Sequence, residues 1–254
     1  MASVGLAERE GILPQRMFSR VETTAKATGR AFEDVTRETL PRFIVERLRP
    51  GGGSRPALVL IEDRGQRAVV KDYLSSGWLL GAFVGPWLIG REERHYRILE
   101  GARGVPRLIG RLDRHALVVE HIEGRACSEY PDGSLPLEFF QRLEAVVNGL
   151  HERGVVHCDI KNRSNIVVTD KLEPYIIDFA SAFTREGRLG WLRRLVFERF
   201  WRDDQRAVVK ARLLVGRFWN EEDERFAFHH GPGERAVRAI RNAARRLFKV
   251  LAGR

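Results

Sequence analysis

At 254 residues the chain can bury one sizeable core or two small lobes, and its 43% apolar content fits a globular protein. A net charge of +10 suits anionic partners such as nucleotides, nucleic acid, phosphorylated substrates or an acidic membrane, and equally a basic, merely solvated surface. Two cysteines, Cys127 and Cys158, sit in no CxxC or Cys/His pattern, which argues against a zinc site or a disulfide framework and fits a reducing compartment.

The first residues, MASVGLAEREGILPQR, meet charge before any apolar run, so a signal peptide is not expected. Residues 1–40 mix charge, Thr and Ala with weak periodicity and read as a loosely attached extension with some helix. RFIVERL (42–48), ALVLIE (57–62) and RAVVKDY (67–73) read as strands of an antiparallel meander. The first link, RPGGGSRP (49–56), is a flexible turn around Gly51, Gly52 and Gly53; the second, DRGQ (63–66), is tight.

YLSSGWLLGAFVGPWLIG (73–90) is 18 residues without a charge, the lower edge of a membrane-spanning length. Four Gly, one Pro and two Ser weaken it as a helix. A span would also separate Lys71 from Asp159, with no second run to bring the chain back. A buried turn plus helix is the expectation; peripheral membrane contact through Trp78, Phe83 and Trp87 is the alternative.

REERHYRILEG (91–101) reads as a helix closed by glycine, and VPRLIGRLD (105–113) and HALVVEHI (115–122) as strands. LPLEFFQRLEAVVNGLHERG (135–154) carries Phe139, Leu143, Val146, Val147 and Leu150 on one helical face. After residue 180 only helices and loops are expected. The order is an α+β chain: a small β-rich lobe with one helix at 41–123, then a mostly helical lobe at 124–254.

Four separated features share one chemistry. Lys71 ends a strand in AVVK; Glu92 lies on the next helix; His157, Asp159 and Lys161 form HxDxK, with Asn165 following; Asp178 ends the strand-like YIID. Phosphoryl transfer needs a lysine as a point charge on phosphates and a carboxylate to hold that lysine. It needs hard oxygen ligands for Mg2+, a part suited to Asn165 and Asp178. It also needs a carboxylate near the acceptor hydroxyl, a part suited to Asp159, while His157 braces the loop.

These residues resemble the protein kinase-like superfamily over roughly 42–210. AVVK resembles the strand-three lysine motif, HCDIKNRSN the catalytic loop and IDFA the DFG motif. The resemblance implies a two-lobed kinase fold, with Lys71, Glu92 and the glycines at 51–53 serving ATP, and with backbone groups near Glu120 and Ile122 meeting the adenine. It implies Lys161 at the γ-phosphate, and Asn165 and Asp178 on Mg2+ or Mn2+. Glu92 is chosen over Glu93 because Tyr96 and Leu99 then follow it on the inward face.

The departures are specific. Cys158 stands where regulated kinases have an arginine that pairs with an activation-loop phosphate. Ala180 replaces the DFG glycine, and no APE motif follows. Asn165 lies six residues after Asp159 rather than five. NRSN (162–165) and IDFASA (177–182) resemble an atypical bacterial branch near lipopolysaccharide core (Kdo/heptose) kinases and RIO-like serine/threonine kinases. Asp204, or else Asp203, is the candidate brace for the catalytic loop.

Two basic apolar segments, 188–202 and 234–254, could lie on an anionic membrane, but the expectation is an apolar core stripe with a solvated basic side. The functional expectation is an ATP- and Mg2+-dependent phosphotransferase acting on a hydroxyl, either of a glycolipid sugar or of a protein Ser/Thr. It would be cytoplasmic, either free or in peripheral contact with the inner membrane face. The alternative is a nucleotide- or membrane-binding pseudokinase scaffold; nucleic acid is not an expected partner.

Overall fold

Alternation with period two builds the first layer. The computed structural model describes residues 30–52, 55–74, 76, 84–187 and 190–228. The chain divides into Met1–Arg30 and Ala31–Arg254, and all the strands and helices named here belong to the second unit. Strands β1 (Ile44–Arg49), β2 (Ala57–Asp63), β3 (Gln66–Asp72), β4 (Leu108–Asp113) and β5 (Ala116–Glu120) form one antiparallel sheet in the order β1-β2-β3-β5-β4. The β2–β3 hairpin turns on Arg64 and Gly65, whose φ angles of 51° and 74° match the right-handed twist of the flanking strands.

The sheet's two faces do different work. Val59, Ile61, Ala68, Val70, Ala116 and Val118 point to an outer apolar cluster. Leu58, Val69, Lys71, Leu117 and Val119 point the other way, into a cleft. Phe32 and Leu40 close the outer cluster, and Arg37 pairs with Asp72 and Asp113. This corrects one expectation: residues 31–40 are not a loose extension but the lid of the sheet's outer face.

Helix α1 (Gly85–Ile98) crosses behind the cleft face. It starts six residues earlier than the charged pattern suggests, with Pro86 in its first turn, where a missing N–H costs nothing. The last six residues of the uncharged run, 85–90, are therefore helix; Trp87 on it is exposed, and Trp78 and Phe83 lie outside the described residues. Among the described residues, no helix is long and apolar enough to cross a membrane.

The second lobe is built on α2 (Leu137–Glu152), whose Phe139, Phe140, Leu143, Val146, Val147 and Leu150 are buried. Each fully buried Phe contributes on the order of 2–3 kcal/mol of apolar transfer. Short strands β6 (Arg125–Ala126), β8 (Ile166–Val168) and β9 (Pro174–Ile176) form a three-stranded sheet. Strand β7 (Val155–Val156) pairs with β10 (Phe183–Thr184), then α3 (Gly190–Leu214) and α4 (Glu221–Phe228) follow. Strand β10 corrects the expectation of helices and loops alone after residue 180. A two-residue ladder leaves no periodic signal to read. One apolar cluster joins the lobes, running from Tyr73, Ile89 and Tyr96 to Phe139, Ile166 and Phe179.

Helix α3 corrects a third expectation. Phe197, Val208 and Ala211 are buried, but Trp191, Leu192, Leu195 and Trp201 are exposed, so the apolar residues of 188–202 do not form one core stripe. The basic segment 234–254 lies outside the described residues.

Candidate active site

Between the lobes lies a cleft of about 360 Å3, walled by Leu58, Val69, Leu117 and Val119 above and by Val167 and Ile177 below. Its polar wall gathers Lys71, Glu92, Asn165 and Asp178, which are far apart in sequence. Strand alternation turns Lys71 inward, and α1 carries Glu92 to meet it.

The Lys71 ammonium donates to Glu92 Oε1 at 2.9 Å and to Asp178 Oδ1 at 2.6 Å. Burial works against its charge, but the two carboxylates outweigh that penalty and raise its pKa. Glu92 is raised as well: burial dominates, and Lys71 offsets it only in part. Asp178 is lowered; burial pushes it up, yet Lys71 prevails. Lys71 and Asp178 are thus held charged, and Glu92 anchors the lysine. Glu93 instead pairs with Arg97 and Arg111 on the outside.

Asp178 sits at φ 68°, a left-handed conformation unusual for a side-chain-bearing residue. Its neighbours in the chain are held on both sides. The Phe179 ring packs edge-on against Tyr96 at 5.1 Å and against His157 at 5.0 Å. His95 Nδ1 donates to the Phe179 carbonyl at 3.1 Å, and His157 Nε2 donates to that of Ile177 at 3.0 Å. Arg91 donates to the Ala182 carbonyl at 2.8 Å. Two histidines and an arginine therefore grip the backbone around Asp178.

The catalytic-loop candidate bends sharply. Cys158 also has φ 68°. Asp204 accepts the backbone N–H groups of His157 at 2.6 Å and Cys158 at 3.0 Å, which settles the choice between Asp203 and Asp204 as the loop's brace. His157 Nδ1 accepts the Asp159 N–H at 3.3 Å. Asn165 Nδ2 donates to the Asp159 carbonyl at 3.1 Å and to its carboxylate at 3.2 Å. The extra residue before Asn165 is taken up in a short 3-10 turn, Arg163–Asn165.

Other candidates stand apart. Lys161 is exposed and lines a separate groove with Ile160, Arg163 and Lys210. Gly51 and Gly52 do not line the cleft; Gly52 exchanges backbone hydrogen bonds with Arg55 at 3.1 and 3.0 Å, and Gly53 lies outside the described residues. Glu120 and Ile122 edge the cleft where the lobes join, with the Glu120 N–H already donated to the Arg107 carbonyl at 2.9 Å. Sequence reading passes over His95 and Arg193. The signal for His95 is its place three residues after Glu92 on the inward face of α1. Arg193 donates to the Thr184 carbonyl and hydroxyl, both at 2.8 Å, a contact with no sequence signal.

The donor set fits a nucleotide-bound Mg2+. An octahedral ion that keeps several waters needs only one or two protein oxygens besides phosphate, and Asp178 and Asn165 offer them on one wall.

Comparison with known proteins agrees with this geometry. Residues 87–194 match the family model RIO1, a RIO domain. No curated protein sequence matches the chain. The crystal structure of the Rio2 kinase from Chaetomium thermophilum is similar at 17% identity and a TM-score of 0.55, covering 77% of this chain and 63% of that one. The same kinase in an ADP/Mg2+-phosphoaspartate complex is similar at 17% identity and a TM-score of 0.54, covering 77% and 61%. The chain spans about three-fifths of the length of these kinases. It has the two-lobed protein kinase-like fold, with a RIO-like segment that runs from α1 into the start of α3.

Proposed function

We propose that the chain is an ATP- and Mg2+-dependent phosphotransferase that moves the γ-phosphate to a hydroxyl. The observation that carries this reading is Lys71 held between Glu92 and Asp178 on one wall of an apolar cleft. The apolar walls suit an adenine, and its edge would meet the backbone near Glu120 and Ile122. Lys71 would lie against the phosphates, held there by Glu92. Asn165 and Asp178 would hold Mg2+, which supplies charge neutralisation when bound with the nucleotide. Asp159 would orient the acceptor hydroxyl and take its proton, with His157 and Asn165 fixing its position. Lys161 and the loop at 51–53 would reach the phosphates only by moving toward them. The ADP and Mg2+ named for one similar kinase support the choice of nucleotide and metal.

The acceptor is either a glycolipid sugar or a protein Ser/Thr. The short chain between Asp178 and the brace Asp204 leaves little platform for a peptide and favours the sugar. A glycolipid acceptor would require the chain to work at the inner face of a membrane.

The test is transfer of labelled phosphate from ATP with Mg2+, offered a generic protein and a lipopolysaccharide extract in parallel. Transfer should fall by roughly 100-fold or more in Asp159→Ala, the usual weight of a positioned general base. Wild-type transfer no faster than that variant, together with ATP–Mg2+ stabilisation on heating, would leave a nucleotide-binding scaffold instead.

A further inference from the structure

Helix α3 turns the wrong chemistry outward at its start. A helix packed on a core should bury its large apolar residues and solvate its charged ones. From Phe197 onward α3 mostly does this, with Phe197, Val208, Val209, Ala211 and Leu213 inward and only Trp201 and Leu214 of its large apolar residues exposed. In its first turns the pattern reverses. Trp191 is 74% exposed, Leu195 54% and Leu192 45%, and Trp191 and Leu195 lie one turn apart on the side away from the core. Nothing in the catalytic reading uses these residues.

The residues around this patch are basic. Arg194 lies beside it and Arg202 two turns further on, both exposed; Glu198 pairs with Arg194 at 3.1 Å, and Asp203 pairs with Arg199. Arg193 is turned inward to hold Thr184, so the helix start is fixed to the segment after Asp178. Large apolar side chains exposed in a group mark a docking surface. Trp with aliphatic neighbours beside exposed arginines is a composition that seats in the headgroup region of an anionic bilayer. A nucleic acid would call for stacking rings rather than leucines, and the net charge of +10 complements anionic lipid.

We infer that the N-terminal turns of α3, through Trp191, Leu192 and Leu195, form a peripheral docking face for an anionic lipid surface. Its arginines draw the chain to the headgroups and its apolar side chains insert among them. This face does not depend on phosphoryl transfer.

The experiment is sedimentation of the full chain with vesicles of phosphatidylcholine alone or mixed with phosphatidylglycerol. The wild type and Asp159→Ala should both sediment with the mixed vesicles and not with phosphatidylcholine. The double variant Trp191→Ser/Leu195→Ser should lose roughly tenfold or more of that partitioning at an unchanged melting temperature. No binding to mixed vesicles, or equal binding by the double variant, overturns the inference. So does a lower melting temperature of the double variant, which would place these side chains under another part of the chain. A concentration-dependent dimer abolished by the same substitutions would assign the face to a second copy. RNA retention at raised salt, lost in the double variant, would assign it to nucleic acid.

Discussion

Asp204, midway along α3, accepts the backbone N–H of Cys158 at 3.0 Å, 46 residues away in sequence. The same carboxylate accepts the N–H of His157 at 2.6 Å, and it is buried. The bond fixes a turn that a cysteine does not favour, since a left-handed φ at a side-chain-bearing residue costs about 1 kcal/mol or more. Asp204→Ala leaves the buried His157 N–H and the half-buried Cys158 N–H without partners, a loss of about 3 kcal/mol. Its melting temperature should drop on the order of 10 °C, and transfer should fall with it as Asp159 loses its place. A variant that melts with the wild type would show that something else braces the loop.

His95 gives the fold a dependence on pH. Burial takes its pKa from 6.5 down to about 4; Arg91, Arg94 and His157 push the same way, and the bond to the Phe179 carbonyl resists. The unfolded chain takes up a proton near 6.5 and the folded chain only near 4. The stability tied to neutral His95 is therefore complete above pH 6.5 and is lost as pH falls from there toward 4. The full loss is on the order of 3 kcal/mol. Urea unfolding at pH 7.5 and pH 5 should show part of it, and His95→Asn should flatten the difference. An equally steep variant would assign the slope to other groups.

Breaking the Lys71 pair tests the polar wall of the cleft. Lys71→Met strands the buried Glu92 beside the half-exposed Asp178, at a cost of about 3 kcal/mol. The pKa of Glu92 is already raised, so in the variant it should take up a proton readily. That variant should become relatively more stable as pH falls, and adding Glu92→Gln should recover much of the loss. A double variant as unstable as the single one would mean that charge burial is not the cause.

Gly104 has φ 71°, and a Cβ there would meet Val146 Cγ2 at 2.5 Å and the Pro174 carbonyl oxygen at 2.8 Å. Gly101 has φ 70° with open space around it. Gly104→Ala adds overpacking to backbone strain and should cost about 3 kcal/mol, whereas Gly101→Ala should cost about 1 kcal/mol. Comparable denaturation midpoints for the two variants would remove the packing argument.

What is legible in the sequence has a local cause. The period-two runs mark the five-stranded sheet, and the tight turn at residues 63–66 is where Arg64 and Gly65 take positive φ. Helical spacing picks Glu92, not Glu93, as the residue that meets Lys71. The rest is decided by partners distant in sequence. Strand β10 exists because Phe183 and Thr184 lie beside Val156 and Val155. Residues 31–40 read as loose because their few apolar side chains, Ala31, Phe32, Val35 and Leu40, are ordered only by the back of the assembled sheet. The outward face of α3 is hidden because composition shows that a stripe exists, not which way it points.

The bond between Lys71 and Asp178 bears on the order of events at the cleft. Asp178 Oδ1, held by the ammonium at 2.6 Å, is an oxygen that a divalent ion would also claim. A bare ion approaching it meets a resident cation and is repelled. Phosphate oxygens of a bound nucleotide would remove the conflict, because they would draw the ammonium toward themselves and bring negative charge between the two cations. On the proposed reading, lysine and aspartate would act as an interlock: the metal would enter together with the nucleotide rather than ahead of it.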